Sequence, residues 1–446
     1  MLSSNIHDQG EEGMSFDPAR CASLYNRIIR IGFDGSHRAE RGDCLVQDWF
    51  RAWQDHPRMR ECRQIFPEPY IAFLKQVEVI VDQNNRPRMR DALVQHLEPI
   101  SSPELMLALG PGSAWMEIND CVLLFRNNLY GLTDCAGVVM DLHDLTVCYL
   151  PSIYDFDTAN IEANPWYPLQ DLLERLNAII EVGKYRPVPL GIVQDDPLSA
   201  NIACWDVVPW NIFILKQSLE AYDALLKAII SRLPSAGEQQ QQQQPLATEE
   251  TIGSHIQGFP RAFLLAAAMP SFQFIAPGLT VYDVNRPPPQ PKMASATDRY
   301  DSPCHEMCYT RAFHHPLILF PATGNIEKEA GLWICPDEGW ADTVKLVLPY
   351  ELRSYPDCSG QQVTDRPSAI ELWQQGDCPF YVPHSTRLAT MLNQWRVLVE
   401  EGIWTIGEDG VVGGVDFYRQ AEDVDKTEWF CLMDNCFDLS EVGIDP

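Results

Sequence analysis

The period of the apolar residues changes along this chain, and that change restricts the fold more than any other feature. Apolar residues recur at three- and four-residue spacing over Ala22–Ile29, Val46–Trp53, Tyr70–Val81 and Arg88–Leu97, the spacing that gathers them on one face of a helix. Ser102-Pro103-Glu104 adds an N-cap, a proline at the first helical position and an acid in the first turn. The pattern then shortens. Trp115–Ile118 and Cys121–Phe125 flank Asn119-Asp120, and Val138–Leu142 and Thr146–Leu150 flank His143-Asp144, which predicts tight turns between antiparallel strands.

Longer helical patterns follow at Pro168–Val182, Leu215–Leu233, Pro260–Met269 and Thr386–Glu401, separated by short strand patterns at Leu317–Phe320, Leu332–Cys335 and Val344–Leu348. Gly402 stops the last of these helices. Asp409-Gly410 between two short apolar runs predicts a further hairpin. Both periods in separate blocks, punctuated by 34 prolines and 26 glycines, exclude a long helical array. The expected class is α+β, with a helical N-terminal lobe, mixed or antiparallel sheet regions and a flexible glutamine-rich insertion.

A length of 446 residues implies roughly two to three domains. Composition places a disordered lead at 1–17, a helical lobe at 18–112, an α/β core at 113–234, a glutamine-rich linker at 235–258 and a C-terminal α+β region at 259–446. The linker holds six consecutive glutamines, Gln239–Gln244. Pro287-Pro288-Pro289-Gln290-Pro291 marks a second loose stretch, with a preference for extended polyproline conformation.

The net charge of −29 opposes a general nucleic-acid-binding surface, because a polyanion repels phosphates. The charge is uneven. Glu400–Pro446 holds 13 acidic residues against two basic ones, whereas Arg51–Arg90 holds eight basic against five acidic. In that reversed stretch Arg58 and Arg60, and again Arg88 and Arg90, recur in a Pro-Arg-Met-Arg motif. They are candidate anion-binding residues, with solvated helix starts as the plain alternative. No apolar leader or membrane-length apolar run is present. With 14 scattered cysteines, the sequence predicts reduced thiols, a cytosolic location and no membrane partner.

The motifs that name a reaction outright are missing: there is no G-x-S-x-G, H-E-x-x-H or phosphate-loop spacing. Cys304, His305 and Cys308, followed by His314 and His315, form the densest set of potential zinc ligands, but their spacing lacks paired C-x2-C knuckles. No metal is assigned. Two carboxylate pairs are the candidate catalytic groups. Asp171 and Glu174 lie one turn apart at the start of a helix, and Asp195-Asp196 follows a short apolar run. Either pair can serve in acid–base catalysis or grip a guanidinium. Dipole complementation for the first pair and a loop turn for the second are the structural alternatives.

Trp166-Tyr167-Pro168-Leu169, Tyr222 to Ile229, Phe272 to Gly278 and Trp395 to Val411 resemble fungal proteins of specialised metabolism, the nearest assigned family being arginine-containing cyclodipeptide synthases. The resemblance implies a cofactor-independent enzyme that takes arginine from its tRNA ester and releases a cyclic dipeptide. The family's acidic D-D-x-x-E motif is incomplete here. Gln170 precedes Asp171-Leu172-Leu173-Glu174 in place of the first Asp, and Ser199 follows Asp195-Asp196-Pro197-Leu198 in place of Glu. The resemblance implies an arginyl-binding carboxylate pair and an aminoacyl-tRNA partner for the arginine patch. A non-catalytic interaction or regulatory protein and a zinc-dependent enzyme are the competing expectations.

Overall fold

In the computed structural model the structure describes residues 16–88, 93–94, 97–109, 120–127, 137–150, 166–189, 204–208, 210–234, 244–285, 317–323, 330–334, 341–356, 362–363, 369–372 and 386–430. The chain divides into two compact units. One comprises Met1–Glu181 with Tyr185–Asp206, and the other Val182–Lys184 with Val207–Pro446. Helices and strands occur in both, in antiparallel and mixed sheets, so the class is α+β.

The first unit begins with α1 (Pro18–Gly35), whose first free amides are satisfied by the Asp17 carboxylate at 2.9 Å from Ala19 N and 3.0 Å from Arg20 N. Short elements follow: β1 (Cys44–Gln47), α2 (Trp49–Ala52), α3 (Met59–Ile65), α4 (Glu68–Leu74) and β2 (Glu78–Val81). Here the helices expected at Val46–Trp53 and Tyr70–Val81 are shorter than their apolar patterns. Val46 belongs to β1, and Val79, Ile80 and Val81 belong to β2, paired antiparallel from Cys44↔Val81 to Gln47↔Glu78. β-Branched residues suit that pairing, but a partner more than thirty positions away leaves no local trace.

The helix expected at Arg88–Leu97 is also corrected. Arg88 N donates to Ile80 O at 2.9 Å and Leu93 N to Leu97 O at 2.6 Å, so the described residues there make strand-type bridges. Leu93, Val94 and Leu97 are buried all the same. Burial was legible in the spacing; the backbone that achieves it was not.

Next come β3 (Leu97–Ile100), α5 (Pro103–Met106), β4 (Cys121–Asn127), β5 (Gly137–Asp141), β6 (Thr146–Leu150), β7 (Tyr167–Pro168), α6 (Leu169–Glu181), β8 (Tyr185–Pro187) and β9 (Trp205–Val207). Ser102 caps α5 as expected, its Oγ accepting from Leu105 N at 3.3 Å. Strands β3-β4-β5-β6-β7 form one antiparallel sheet. The His143-Asp144 turn joins β5 to β6, with the Asp141 carboxylate accepting from His143 N at 2.6 Å. Cys121, Leu123, Val139 and Cys148 pack with Leu109 on one face. A bulge after Leu123 sets Phe125 opposite Val138, and Tyr25 of α1 stacks on Phe125 at 6.0 Å. Tyr25 thus brings α1 against β4, and α6 packs beside α1.

The second unit contains α7 (Ile212–Ile230), α8 (Gly258–Ala266), β10 (Phe274–Ala276), β11 (Leu279–Thr280), β12 (Leu317–Pro321), β13 (Gly331–Ile334), β14 (Thr343–Leu352), β15 (Tyr355–Pro356), β16 (Gln362–Val363), β17 (Ala369–Leu372) and β18 (Thr386–Arg387). It closes with α9 (Leu388–Glu400), β19 (Ile406–Gly407), β20 (Gly410–Val411) and α10 (Thr427–Phe430). Helices α7 and α9 lie side by side and parallel. Arg387 reaches Gln217 at one end, and Arg232 donates to Glu400 O at 3.2 Å at the other. Under them β12-β13-β14-β17 form an antiparallel sheet, with β18 also paired to β14.

An aromatic chain runs through this core. Tyr222 packs on Phe263 and Phe320, Phe320 on Trp395, and Trp395 on Trp404, with ring centroids 5.6 to 6.3 Å apart. The last hairpin turns at Glu408-Asp409, one residue before the expected Asp409-Gly410, because Gly407 pairs with Gly410. Gly410 also pairs with Phe274 of β10. Residues 1–15 of the lead, Gln239–Gln243, the proline-rich stretch and Trp115–Ile118 lie outside the described residues, whereas Asp17, at the end of the lead, caps α1.

Candidate functional site

The carboxylates of α6 are the sequence-predicted acidic pair that the structure describes. The helix starts directly after β7, and Leu169, Leu172, Leu173, Leu176 and Ile179 are its buried stripe. That periodicity turns Asp171 and Glu174 toward the flank, where both are half-buried. Glu174 Oε1 accepts from Arg20 Nη2 of α1 at 2.9 Å and from Gln170 Nε2 at 3.0 Å. Asp171 has no hydrogen bond or ion pair with any described residue. Burial pushes its carboxyl above the ordinary value; Arg175 opposes the shift and Glu174 adds to it.

Cys21 of α1 lies close to this group. Burial, with the charges of Asp17, Glu174 and Asp171, pushes its thiol up to about 12. It is a neutral packing residue at physiological pH, not a nucleophile. The arrangement offers anionic acceptors, one already holding a guanidinium and one open.

The arginine patch is taken apart by its neighbours. Arg58 donates two bonds to Glu61, at 2.8 and 2.7 Å, and lies 3.8 Å from Glu104. The pair raises the arginine and lowers the glutamate from their ordinary values. Arg88 Nη2 binds Asp43 Oδ1 at 2.8 Å, while the other oxygen of that buried carboxylate takes Arg38 at 3.1 Å. Arg60 is exposed and unpaired among the described residues. Among the described residues Arg58 and Arg88 therefore join different carboxylates.

Asp195, Asp196 and Arg90 lie outside the described residues, as do Cys304, His305, Cys308, His314 and His315. Among the described residues no group of three or more His, Cys, Asp or Glu side chains could hold a metal ion. No described helix is long and apolar enough to cross a membrane.

Sequence reasoning missed the buried ion pair of the second unit. Arg387 Nε donates to Asp342 Oδ2 at 3.0 Å, Nη2 lies 3.0 Å from the same oxygen, and Nη2 donates to Gln217 Oε1 at 3.0 Å. The three residues are far apart in sequence, and none belongs to a motif. A charged residue beside an apolar helical stripe was the only available signal.

Neither a protein-family model, nor a curated protein, nor a solved structure matches this chain.

Proposed function

We propose that this protein is a cofactor-independent biosynthetic enzyme that binds an arginyl group through Asp171 and Glu174 and transfers it from its tRNA ester into a cyclic dipeptide. The observation that carries this reading is the state of the two carboxylates. Glu174 already accepts a guanidinium from Arg20, while Asp171, one turn away, has no bonded partner among the described residues. A second guanidinium at Asp171 would stabilise the ionised form that burial disfavours. Arg20 and Glu174 are about half exposed, at 52% and 41%, so their mutual hold is weak and an incoming arginyl group can displace it.

The test is production of the full chain in a heterologous host with metabolite profiling. An arginine-containing cyclic dipeptide is expected. Asp171→Asn and Glu174→Gln should abolish it. A folded protein that leaves the metabolites unchanged overturns the proposal.

A second reading is a non-catalytic interaction or regulatory protein. Engagement of Arg88 by the buried Asp43 carboxylate favours it, since that guanidinium is then poorly placed to receive a tRNA phosphate. Co-purification of a protein partner with unchanged metabolites would support this reading.

A further inference from the structure

We propose that the buried corner around Arg387 is an internal water site that ties α7 to β14 and the start of α9. This rests on hydrogen-bond accounting in the second unit and is independent of the α6 carboxylates.

Asp342 and Ser218 are fully buried, and Gln217 and Arg387 are each 8% exposed. A guanidinium facing a carboxylate commonly uses two nitrogens and two oxygens. Here Nε of Arg387 donates to Oδ2 of Asp342, and Nη2 lies 3.0 Å from the same oxygen. Among the described residues, Asp342 Oδ1 has no hydrogen-bond partner, and neither do Gln217 Nε2 and Ser218 Oγ. These are an acceptor, a donor and a hydroxyl able to act as either.

The groups are neighbours. Gln217 Oε1 and Asp342 Oδ2 each lie 3.0 Å from Arg387 Nη2, so the two side chains meet at one nitrogen. Gln217 and Ser218 are adjacent in α7, and the neighbouring helix α9 begins one residue after Arg387. A buried polar atom without a partner is costly, and protein interiors meet that cost with ordered water making about three bonds. Water is small enough for a closed interior, carries no charge to be desolvated, and both donates and accepts. It would donate to Asp342 Oδ1 and accept from Gln217 Nε2, with Ser218 Oγ as a further partner.

A crystal structure of the full wild-type chain at about 1.5 Å resolution tests the assignment without relying on any variant. Water density within hydrogen-bond distance of Asp342 Oδ1 and at least one of the other two atoms is the expected result. A dry corner, or a protein donor on Oδ1, overturns it, as does an organic molecule bound there instead of water. Ser218→Ala supplies an independent sign. If the hydroxyl bonds to water, the substitution should lower the melting temperature by a few degrees. If Oγ is dry and unpartnered, removing it should raise the melting temperature or leave it unchanged, and Ser218 would drop out of the site.

Discussion

Two charged residues illustrate how strongly burial sets the consequence of a substitution. Among the described residues Arg387 and Arg20 each bind one carboxylate, but Asp342 is wholly buried whereas Glu174 is 41% exposed. Arg387→Met should cost about 3–5 kcal/mol, because it strands a carboxylate in the interior. Arg20→Ala should cost about 1 kcal/mol or less. Urea denaturation of both variants checks the contrast, and equal losses would contradict it. Asp171 gives a pH-dependent prediction. Burial holds its carboxyl above the ordinary 3.8, so the native state retains a proton that the unfolded chain releases. Its contribution is complete below the ordinary value and declines as pH rises through the raised one. Asp171→Asn should therefore gain stability relative to wild type over that interval and keep the gain to neutral pH. Melting temperatures of both proteins from pH 3 to 7 would reveal it.

Among the elements, the helices were the most legible. The stripes of α6, α7 and α9 were written in the spacing of their leucines and isoleucines; the buried residues match the stripe of α9, whereas Ile180 of α6 and Leu219 and Ile230 of α7 are only half-buried. The short N-terminal elements were less legible, because Val46 and Val79–Val81 fit a helical stripe as well as a strand. Long-range pairing with each other decided between the two. Gly410 shows the same dependence. Its φ of +105° is unusual for an L side chain, and an added Cβ would collide with the Phe274 carbonyl. Gly410→Ala should destabilise the second unit by at least about 1–3 kcal/mol through backbone strain alone. Gly402→Ala also has a positive φ, of +74°, but open space around the added methyl, so it should cost less. Parallel thermal melts order the two.

For the whole molecule, charge is the property that composition fixes most firmly. At −29 the folded chain works against its own repulsion, which salt screens over a Debye length of about 10 Å at 0.1 M. Raising sodium chloride from about 0.05 to 0.5 M should raise the melting temperature. A fall would show that screened ion pairs, such as Arg30–Glu78 at 2.6 Å, outweigh the repulsion. The carboxylate pair of the candidate site was also readable, since i to i+3 spacing alone puts Asp171 and Glu174 on one side of a helix. Arg20 as the partner of Glu174 was not, because the two residues lie 154 positions apart.

The sequence by itself determined the α+β class, the positions and buried faces of the long helices, the β5–β6 turn and the polyanionic character. Each is a local or summed property, set by periodicity, turn chemistry or charge. Tertiary structure decided whether β1 and β2 would be strands, where the last hairpin turns, and which arginines are spoken for. It also brought Gln217, Asp342 and Arg387 into one buried corner. Those outcomes depend on which distant groups meet away from water, where a single hydrogen bond or close backbone approach outweighs local preference.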